Sequence, residues 1–364
     1  MMRSRRQLIL AGLTVLSLFA AFSLRATNTP VFRHALELWP ASDYEIVVFH
    51  RGEMDPASQS LVDQLRISRA QTFANIDVKR VDVSGPMATT MEDLWTCQTN
   101  PLPPWVVVRD PDTSADASPV WSGRLTETMV AALLDSPARR KIAENLLRGA
   151  TAVWILLESG EATRDEAAVD TLSAELKRLE KVLTLPAPAA GDSKLHSSLP
   201  MGIEFSLVRI TRTDPAEEFL LTLLQHGKPP FSARPAAFAV YGRGRMLGAL
   251  VGREIEADAI GTACASLVAA CTHESKEQNP GRDLLLAANW NSIFNPAAAK
   301  NRAAAVLPAN PPATPVNSGA PQPSAERPHW TPYVLLTAAV LGVAVVFVMG
   351  RRSRVRPASG SRIP

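Results

Sequence analysis

Residues 332–350 form an apolar run that contains no charged side chain. An α-helix rises about 1.5 Å per residue, so a run of this length crosses the roughly 30 Å hydrocarbon core of a membrane. Trp330 and Tyr333 lie at one end, and aromatic side chains of this kind favour the membrane interface. The other end is followed by Arg351, Arg352, Arg354 and Arg356. The positive-inside rule therefore predicts a transmembrane helix with a basic cytoplasmic tail at 351–364.

Residues 1–30 have the pattern of an export signal, because a basic stretch, MMRSRR, precedes an uncharged apolar run from Leu8 to Leu24. The paired arginines resemble a twin-arginine motif, so Sec and Tat export both stay open. Leu24-Arg25-Ala26 is a poor small-x-small cleavage site, so the segment is either a cleaved signal peptide or an uncleaved signal anchor. We expect a protein of the bacterial inner (cytoplasmic) membrane, single-pass or, with an uncleaved signal, double-pass. Its folded domains are expected to face the periplasm.

The formal net charge is only +3, and much of the positive charge comes from arginines near the two termini. That distribution suits membrane topology better than a polyanion, so no nucleic-acid partner is predicted. The length and the 46% of hydrophobic residues allow two or three domains with real cores. The chain has three cysteines, which are too few for a disulfide framework and cannot all pair within one chain.

Two further segments precede the predicted membrane helix. Residues 307–328 read LPANPPATPVNSGAPQPSAERP, a Pro/Ala-rich composition typical of an extended, semi-stiff linker. Residues 273–306 form an extension whose apolar side chains include Leu284, Trp290 and Phe294. This extension either packs back on the preceding domain or forms an exposed strip where another membrane component docks.

The segment 42–149 alternates between strand and helix patterns. Short β-rich or alternating runs predict strands, and Asp-Pro is a typical helix start. In order, the predicted elements are a strand at 45–49, a helix opening at Asp55-Pro56, strands at 76–83, 105–108 and 120–123, and a helix carrying Met129 to Leu134. Pro101, Pro103 and Pro104 directly precede the third strand. A connecting helix at 137–148 ends at Gly149.

The segment 150–272 repeats this order. Its predicted elements are a strand at 152–157, a helix starting at a capping box on Thr163, strands at 202–210, 236–241 and 246–251, a helix opening at Asp214-Pro215, and a helix at 256–271. Pro235 directly precedes the third strand. Cys264 and Cys271 fall on the buried face of the last helix, two turns apart and too distant for a disulfide, which favours buried structural thiols.

The order β-α-β-(α)-Pro-β-β-α in both segments resembles the thioredoxin fold. The resemblance predicts an α/β protein with two tandem thioredoxin-like domains, at 42–149 and 150–272, plus the C-terminal transmembrane helix. In that family a proline before the third strand has a cis peptide bond beside the active-site loop. The resemblance makes Pro104 and Pro235 the candidates for these cis-prolines and for the peptide-binding surface around them.

The chemistry of that family is missing. Thioredoxin-like oxidoreductases carry Cys-x-x-Cys at the start of the first helix, but the corresponding windows, 50–58 and 158–163, contain no thiol. Cys97 is a candidate free thiol in the loop ahead of Pro104. His50, Glu53 and Asp55 could in principle bind a metal, but a solvated loop is the favoured interpretation. We therefore predict no catalytic residue, no metal and no cofactor.

These patterns favour a membrane-anchored binding or scaffold protein that is not an enzyme and that holds a protein or peptide partner. Two alternatives stay open. One is a redox accessory that uses Cys97 as a single thiol, and the other is a subunit of a membrane transporter or assembly complex.

Overall fold

The computed structural model describes residues 28–111, 118–187, 195–226, 231, 233–272 and 275–295. The predicted transmembrane helix, its cytoplasmic tail, the linker and most of the export signal lie outside these residues. Within the described ranges, no helix is long and apolar enough to cross a membrane. The described chain is a mixed α/β protein with two separate sheets, which confirms the predicted class.

The helices are α1 Val31–Leu38, α2 Pro56–Gln71, α3 Thr89–Thr96, α4 Glu127–Leu134, α5 Pro137–Arg148, α6 Ala162–Val182, α7 Glu218–Gln225 and α8 Ala257–Val268. The strands are β1 Tyr44–His50, β2 Ile76–Asp82, β3 Trp105–Arg109, β4 Trp121–Arg124, β5 Ala152–Leu157, β6 Phe205–Ile210, β7 Ala236–Tyr241, β8 Arg245–Met246, β9 Leu250–Val251 and β10 Arg282–Asp283.

The first sheet has the strand order β2-β1-β3-β4, in which β1 and β2 are parallel and the other pairs are antiparallel. Side chains alternate across a strand, so Ile46 and Val48 pack on one face while Val47 and Phe49 pack on the other. The first face meets α2 and α4 and joins a large core. The second face has only a small core under α3, an eight-residue helix.

The second sheet has the order β10-β8-β7-β5-β6, and β9 also pairs with β7. Strand β5 is parallel to β6 and antiparallel to β7, the same arrangement as in the first sheet. All six residues of β5 are buried, because helices cover both faces of this sheet. One face shares the large core of the first sheet, and the other forms a core with α6 and α8.

Helix α1 precedes the first sheet in the chain but packs on α8 and β7 of the second half. The Val31 amide donates to the Ala269 carbonyl at 3.0 Å, and Pro30 forms a bridge with Ala270. Buried Arg33 donates to the carbonyl oxygens of Leu199 and Pro200. Helix α1 is thus an integral part of the second half.

Residues 282–294, here called the closing segment, lie between the two halves. Ala287 forms a bridge with Ala74, and the Leu286 amide donates to the Asn75 side chain at 2.8 Å. Leu285 is fully buried, and its carbonyl oxygen accepts a hydrogen bond from Arg139. Because these apolar side chains are buried against both halves, the alternative of an exposed docking strip is wrong.

Three local expectations need correction. The Pro103–Pro104 bond is cis as predicted, whereas the Arg234–Pro235 bond is not among the cis bonds. Helix α6 begins at Ala162, so Thr163 lies inside its first turn and forms no capping box. Asp165 instead accepts hydrogen bonds from the Ser159 and Gly160 amides at 2.7 and 3.0 Å. Helix α8 ends at Val268, so Cys271 lies beyond it, although this side chain is buried as expected.

Candidate functional site

An open cleft of about 910 Å³ lies along β2 in the first half. It reaches from the turn after β1 to the starts of α2 and α3. Its lining residues come from these elements and are His50, Gly52, Glu53, Met54, Gln59, Arg66, Val78, Lys79, Arg80, Val81, Asp82, Ala88, Thr90 and Met91. The cleft therefore includes part of residues 50–58, the window in which the thioredoxin resemblance predicts a redox site.

A carboxylate organises the turn at one end of the cleft. Asp82 Oδ1 accepts hydrogen bonds from the Gly52 amide at 3.0 Å, the Ser84 amide at 2.9 Å and the Ser84 hydroxyl at 2.6 Å. Bonds from Ser84, followed by the bond from Gly52, lower the pKa of Asp82 to about 2. Gly52 has φ of 61°, a conformation that favours glycine, and its carbonyl oxygen lies 2.8 Å from His50 Nδ1. This carboxylate holds the turn in place.

We expect the carboxyl carbon of Asp82 to titrate in an NMR experiment with a midpoint of about 2, below the ordinary value of 3.8. A depressed carboxyl pKa stabilises the fold above the unfolded pKa, so its contribution is lost as the pH falls from about 3.8 towards 2. Asp82→Asn should accelerate hydrogen exchange of the Gly52 and Ser84 amides, while Asp77→Asn on the same strand should not. A midpoint near 3.8 would show that these bonds do not persist in solution.

The start of α2 holds no thiol. Asp55 is the N-cap, and its carboxylate accepts from the Ser58 amide at 3.0 Å and from the Ser58 hydroxyl at 2.6 Å. These bonds lower the pKa of Asp55. The resemblance places thiols at this position, and a capping carboxylate stands there instead. In the part of the chain that the structure describes, no three His, Cys, Asp or Glu side chains form a group that could hold a metal ion.

The second half has a similar device at the corresponding position. Buried Asp165 binds the Ser159 hydroxyl at 2.8 Å in addition to the two amides described above. Arg209 bridges Glu158 at 2.6 Å and Glu166 at 2.7 Å across the same end of the sheet. Both turns are thus closed by carboxylates that are already bonded, and neither window contains a thiol.

The two candidate prolines differ in exposure. Pro104 is half-buried next to Leu102, whose exposed fraction of 60% is the highest among the exposed large hydrophobic residues of the described chain. Pro235 is buried, and its carbonyl oxygen accepts from the Gly252 amide at 2.8 Å. The segment around β9 covers this side of β7, so Pro235 has no surface to offer a partner.

The three cysteines also differ. Cys97 is exposed and follows directly after α3. Cys264 and Cys271 are buried, and burial raises the pKa of Cys264 to about 12. A thiol with so high a pKa does not form the reactive thiolate at neutral pH. Any thiol chemistry of the described chain would therefore have to use Cys97.

The main feature of the cleft, the free edge of β2, could not be predicted from the sequence. Its alternating pattern predicted a strand, but the neighbours of a strand depend on pairing between distant residues. The available signal was the number of charged side chains in this strand, at Asp77, Lys79, Arg80 and Asp82, because charged residues commonly protect an edge strand.

The chain matches no protein-family model and no curated protein. Among solved structures it is similar to one titled "Crystal structure of full-length ERdj5", with 11% sequence identity and a TM-score of 0.21. The alignment covers 69% of this chain and 33% of that chain, so this chain matches about a third of its length. A similarity this weak adds nothing to the strand order and pairing described above.

Proposed function

We propose that the protein is a membrane-anchored extracytoplasmic binding or scaffold protein built from two tandem thioredoxin-like domains without redox activity. The first domain holds a protein or peptide partner in the cleft along β2. The predicted membrane helix at 332–350 anchors the domains, and the linker at 307–328 sets their distance from the membrane.

The observation that carries this proposal is the combination of an open cleft with active-site windows that contain no thiol. Asp55 and Asp82 are bonded within their own turns, and neither active-site window contains a thiol. Arg66 and Glu53 line the cleft, and within the described residues neither makes an ion pair or a hydrogen bond. Charged groups without a partner in the fold can recognise a ligand, whereas the bonded carboxylates give the cleft a fixed shape.

A capture experiment tests the proposal. The tagged full chain is purified from detergent-solubilised membranes together with its bound proteins, in parallel with Arg66→Glu and Arg253→Glu variants. Arg253 is exposed and lies outside the cleft, so its variant is a matched control. We expect a partner that is recovered with wild type and with Arg253→Glu but lost with Arg66→Glu. Equal recovery with all three proteins would exclude the cleft as the binding site.

The exposure of Cys97 favours a second candidate, a redox accessory that uses a single thiol. Under our proposal the full chain should show no insulin reduction above background, because neither domain carries a thiol pair at its active-site position. Cys97→Ser should also change the free energy of unfolding by less than about 0.5 kcal/mol, as is usual at exposed positions. Insulin reduction well above background that disappears in Cys97→Ser would favour the monothiol function instead.

The proposed topology gives a separate prediction. Protease added to intact spheroplasts should degrade the domains and leave the tail at 351–364 protected, because the positive-inside rule places the arginines in the cytoplasm. Epitope tags in the tail and in the exposed loop near Leu102 would report the two sides. A protected Leu102 tag would overturn this orientation.

A further inference from the structure

Strand β2 is an edge of the first sheet, because it pairs only with β1. The Tyr44 amide donates to the Asn75 carbonyl at 2.9 Å, and the Val83 amide donates to the His50 carbonyl at 2.8 Å. Asn75 and Val83 therefore direct their backbone groups towards β1. Because backbone groups alternate along a strand, Val78 and Arg80 direct theirs away from the sheet.

The free part of this edge begins at Val78. The Ile76 amide already donates to the Ala74 carbonyl at 2.9 Å, and the Ile76 carbonyl accepts from Arg69 at 2.7 Å. Within the described ranges, no segment pairs with the outer side of β2 beyond that point. The free stretch is also the wall of the cleft, which includes 78–82.

The two sides of the cleft differ in chemistry. On the α2 side lie Arg66 and Arg80, and Arg80 is bonded only to the neutral Gln59 side chain, at 3.1 Å. Their positive charges are not compensated by an ion pair. On the α3 side lie the half-buried side chains of Val81 and Met91. The α3 side also carries Lys79, which is already paired with Glu45. Two carboxylates, Glu53 and Asp82, line the end of the cleft next to the turn at Gly52. A strand added beside Val78 and Arg80 would therefore meet unpaired cations on one face and mainly apolar groups on the other.

Two of the registers in which a second copy of the chain could pair with this edge are unfavourable. Antiparallel pairing of two β2 strands centred on residue 80 places Arg80 opposite Arg80, and pairing centred on residue 79 places Lys79 opposite Lys79. Like charges directly opposite each other destabilise a strand pair. Basic residues on an edge also act against edge-to-edge association of copies.

We propose that the edge of β2 binds its partner by strand addition. The partner is an extended segment of another protein in which acidic and apolar side chains alternate. Its backbone pairs with the N–H and C=O groups of Val78 and Arg80, its acidic side chains face Arg66 and Arg80, and its apolar side chains face Val81 and Met91. This inference rests on the proposed function, because it assigns the partner's chemistry at the same cleft.

The second half provides an internal control. Strand β6 is an edge of the second sheet. The Thr151 amide donates to the Glu204 carbonyl and the Glu158 amide donates to the Ile210 carbonyl, so Glu204 and Ile210 direct their backbone groups towards β5. By alternation, Leu207 directs its backbone groups outwards. The neighbouring Arg209 is already paired with two glutamates, so this edge offers no uncompensated cation. It should not bind an acidic strand.

The test uses the full chain in mild detergent and a fluorescent peptide, Thr-Glu-Val-Glu-Val-Glu-Thr, in an anisotropy titration. Val78→Pro removes an outward N–H without touching the β1 ladder and should weaken binding about tenfold. The double variant Arg66→Glu, Arg80→Glu leaves the backbone intact and should weaken binding at least tenfold.

Leu207→Pro on β6 is the control for the backbone change and should leave the affinity unchanged. A peptide with lysine in place of glutamate should bind at least tenfold more weakly to wild type.

Circular dichroism of each variant shows whether it folds, and the double charge variant keeps the test valid if Val78→Pro does not. Equal affinity of wild type and a folded Val78→Pro, or of wild type and the charge variant, would overturn strand addition. Absence of peptide binding would also overturn it, while a partner captured through Arg66 would leave the proposed function standing. Sedimentation is run on the same samples, and a dimer that Val78→Pro dissociates would replace the proposal with self-pairing.

Discussion

Replacing Glu217 with alanine is expected to lower the free energy of unfolding by roughly 2–5 kcal/mol. Glu217 is 3% exposed and lies at the contact between the two halves. Its carboxylate accepts from the Ser136 hydroxyl at 2.5 Å and from the Ala138 amide at 2.7 Å, at the start of α5. Alanine would leave both donors buried without an acceptor. It would also remove a negative charge near Arg139, a buried cation.

Chemical denaturation followed by circular dichroism measures this change, and Glu218→Ala is the control. Glu218 is the next residue but is exposed, so its replacement should cost less than about 0.5 kcal/mol. Similar losses for the two variants would show that the buried bonds of Glu217 contribute little.

The same residue gives a dependence on pH. Burial raises the pKa of Glu217 above 4.5, and the bonds from Ser136 and Ala138 and the charge of Arg139 offset only part of this increase. A carboxyl group with a raised folded pKa stabilises the fold below its unfolded pKa, and this contribution is lost as the pH rises through the folded value. Wild type should therefore gain stability relative to Glu217→Gln as the pH falls towards 4.5. The opposite trend would show that the bonds outweigh burial.

Leu285→Ala is expected to destabilise the protein by about 2–5 kcal/mol, the usual range for a large apolar side chain deleted from a core. Leu285 is 0% exposed and packs in the core that both sheets share. The cavity left by this change would lie in that shared core. Thermal and chemical unfolding of the full chain measure the effect.

Leu102→Ala is the matched control, because the same side chain is lost from a position that is 60% exposed. Its effect should stay within about 0.5 kcal/mol. If Leu285→Ala had an equally small effect, the closing segment would not join the two halves in solution.

Local signals were sufficient for much of the fold. The uninterrupted apolar run of Ala152–Leu157 predicted a buried strand, and all six residues are buried in β5. Asp55 and Pro56 predicted the start of α2, where they serve as N-cap and first residue. Gly149 predicted the end of α5, and its φ of 99° is the left-handed conformation that ends many helices. Each of these features depends on residues close together in the chain.

The features that could not be predicted from the sequence depend on contacts between residues far apart in the chain. The sequence gives no local sign that α1 would pack on the second half or that β9 would cover Pro235. The free edge of β2 follows from strand pairing, so the alternation of IDVKRVD could predict a strand but not its position in the sheet. The candidate site therefore could be located only in part, by the thiol-free window that begins at His50.

The closing segment also constrains the order in which the protein can fold. The bond between the Leu286 amide and the Asn75 side chain joins groups separated by 211 residues, and the bond from Tyr44 to Asp283 spans 239 residues. Contacts this distant raise the contact order and slow folding, because a long loop must close before they form. Because the chain is synthesised from its N-terminus, the first half cannot complete its core until almost the whole second half has been made.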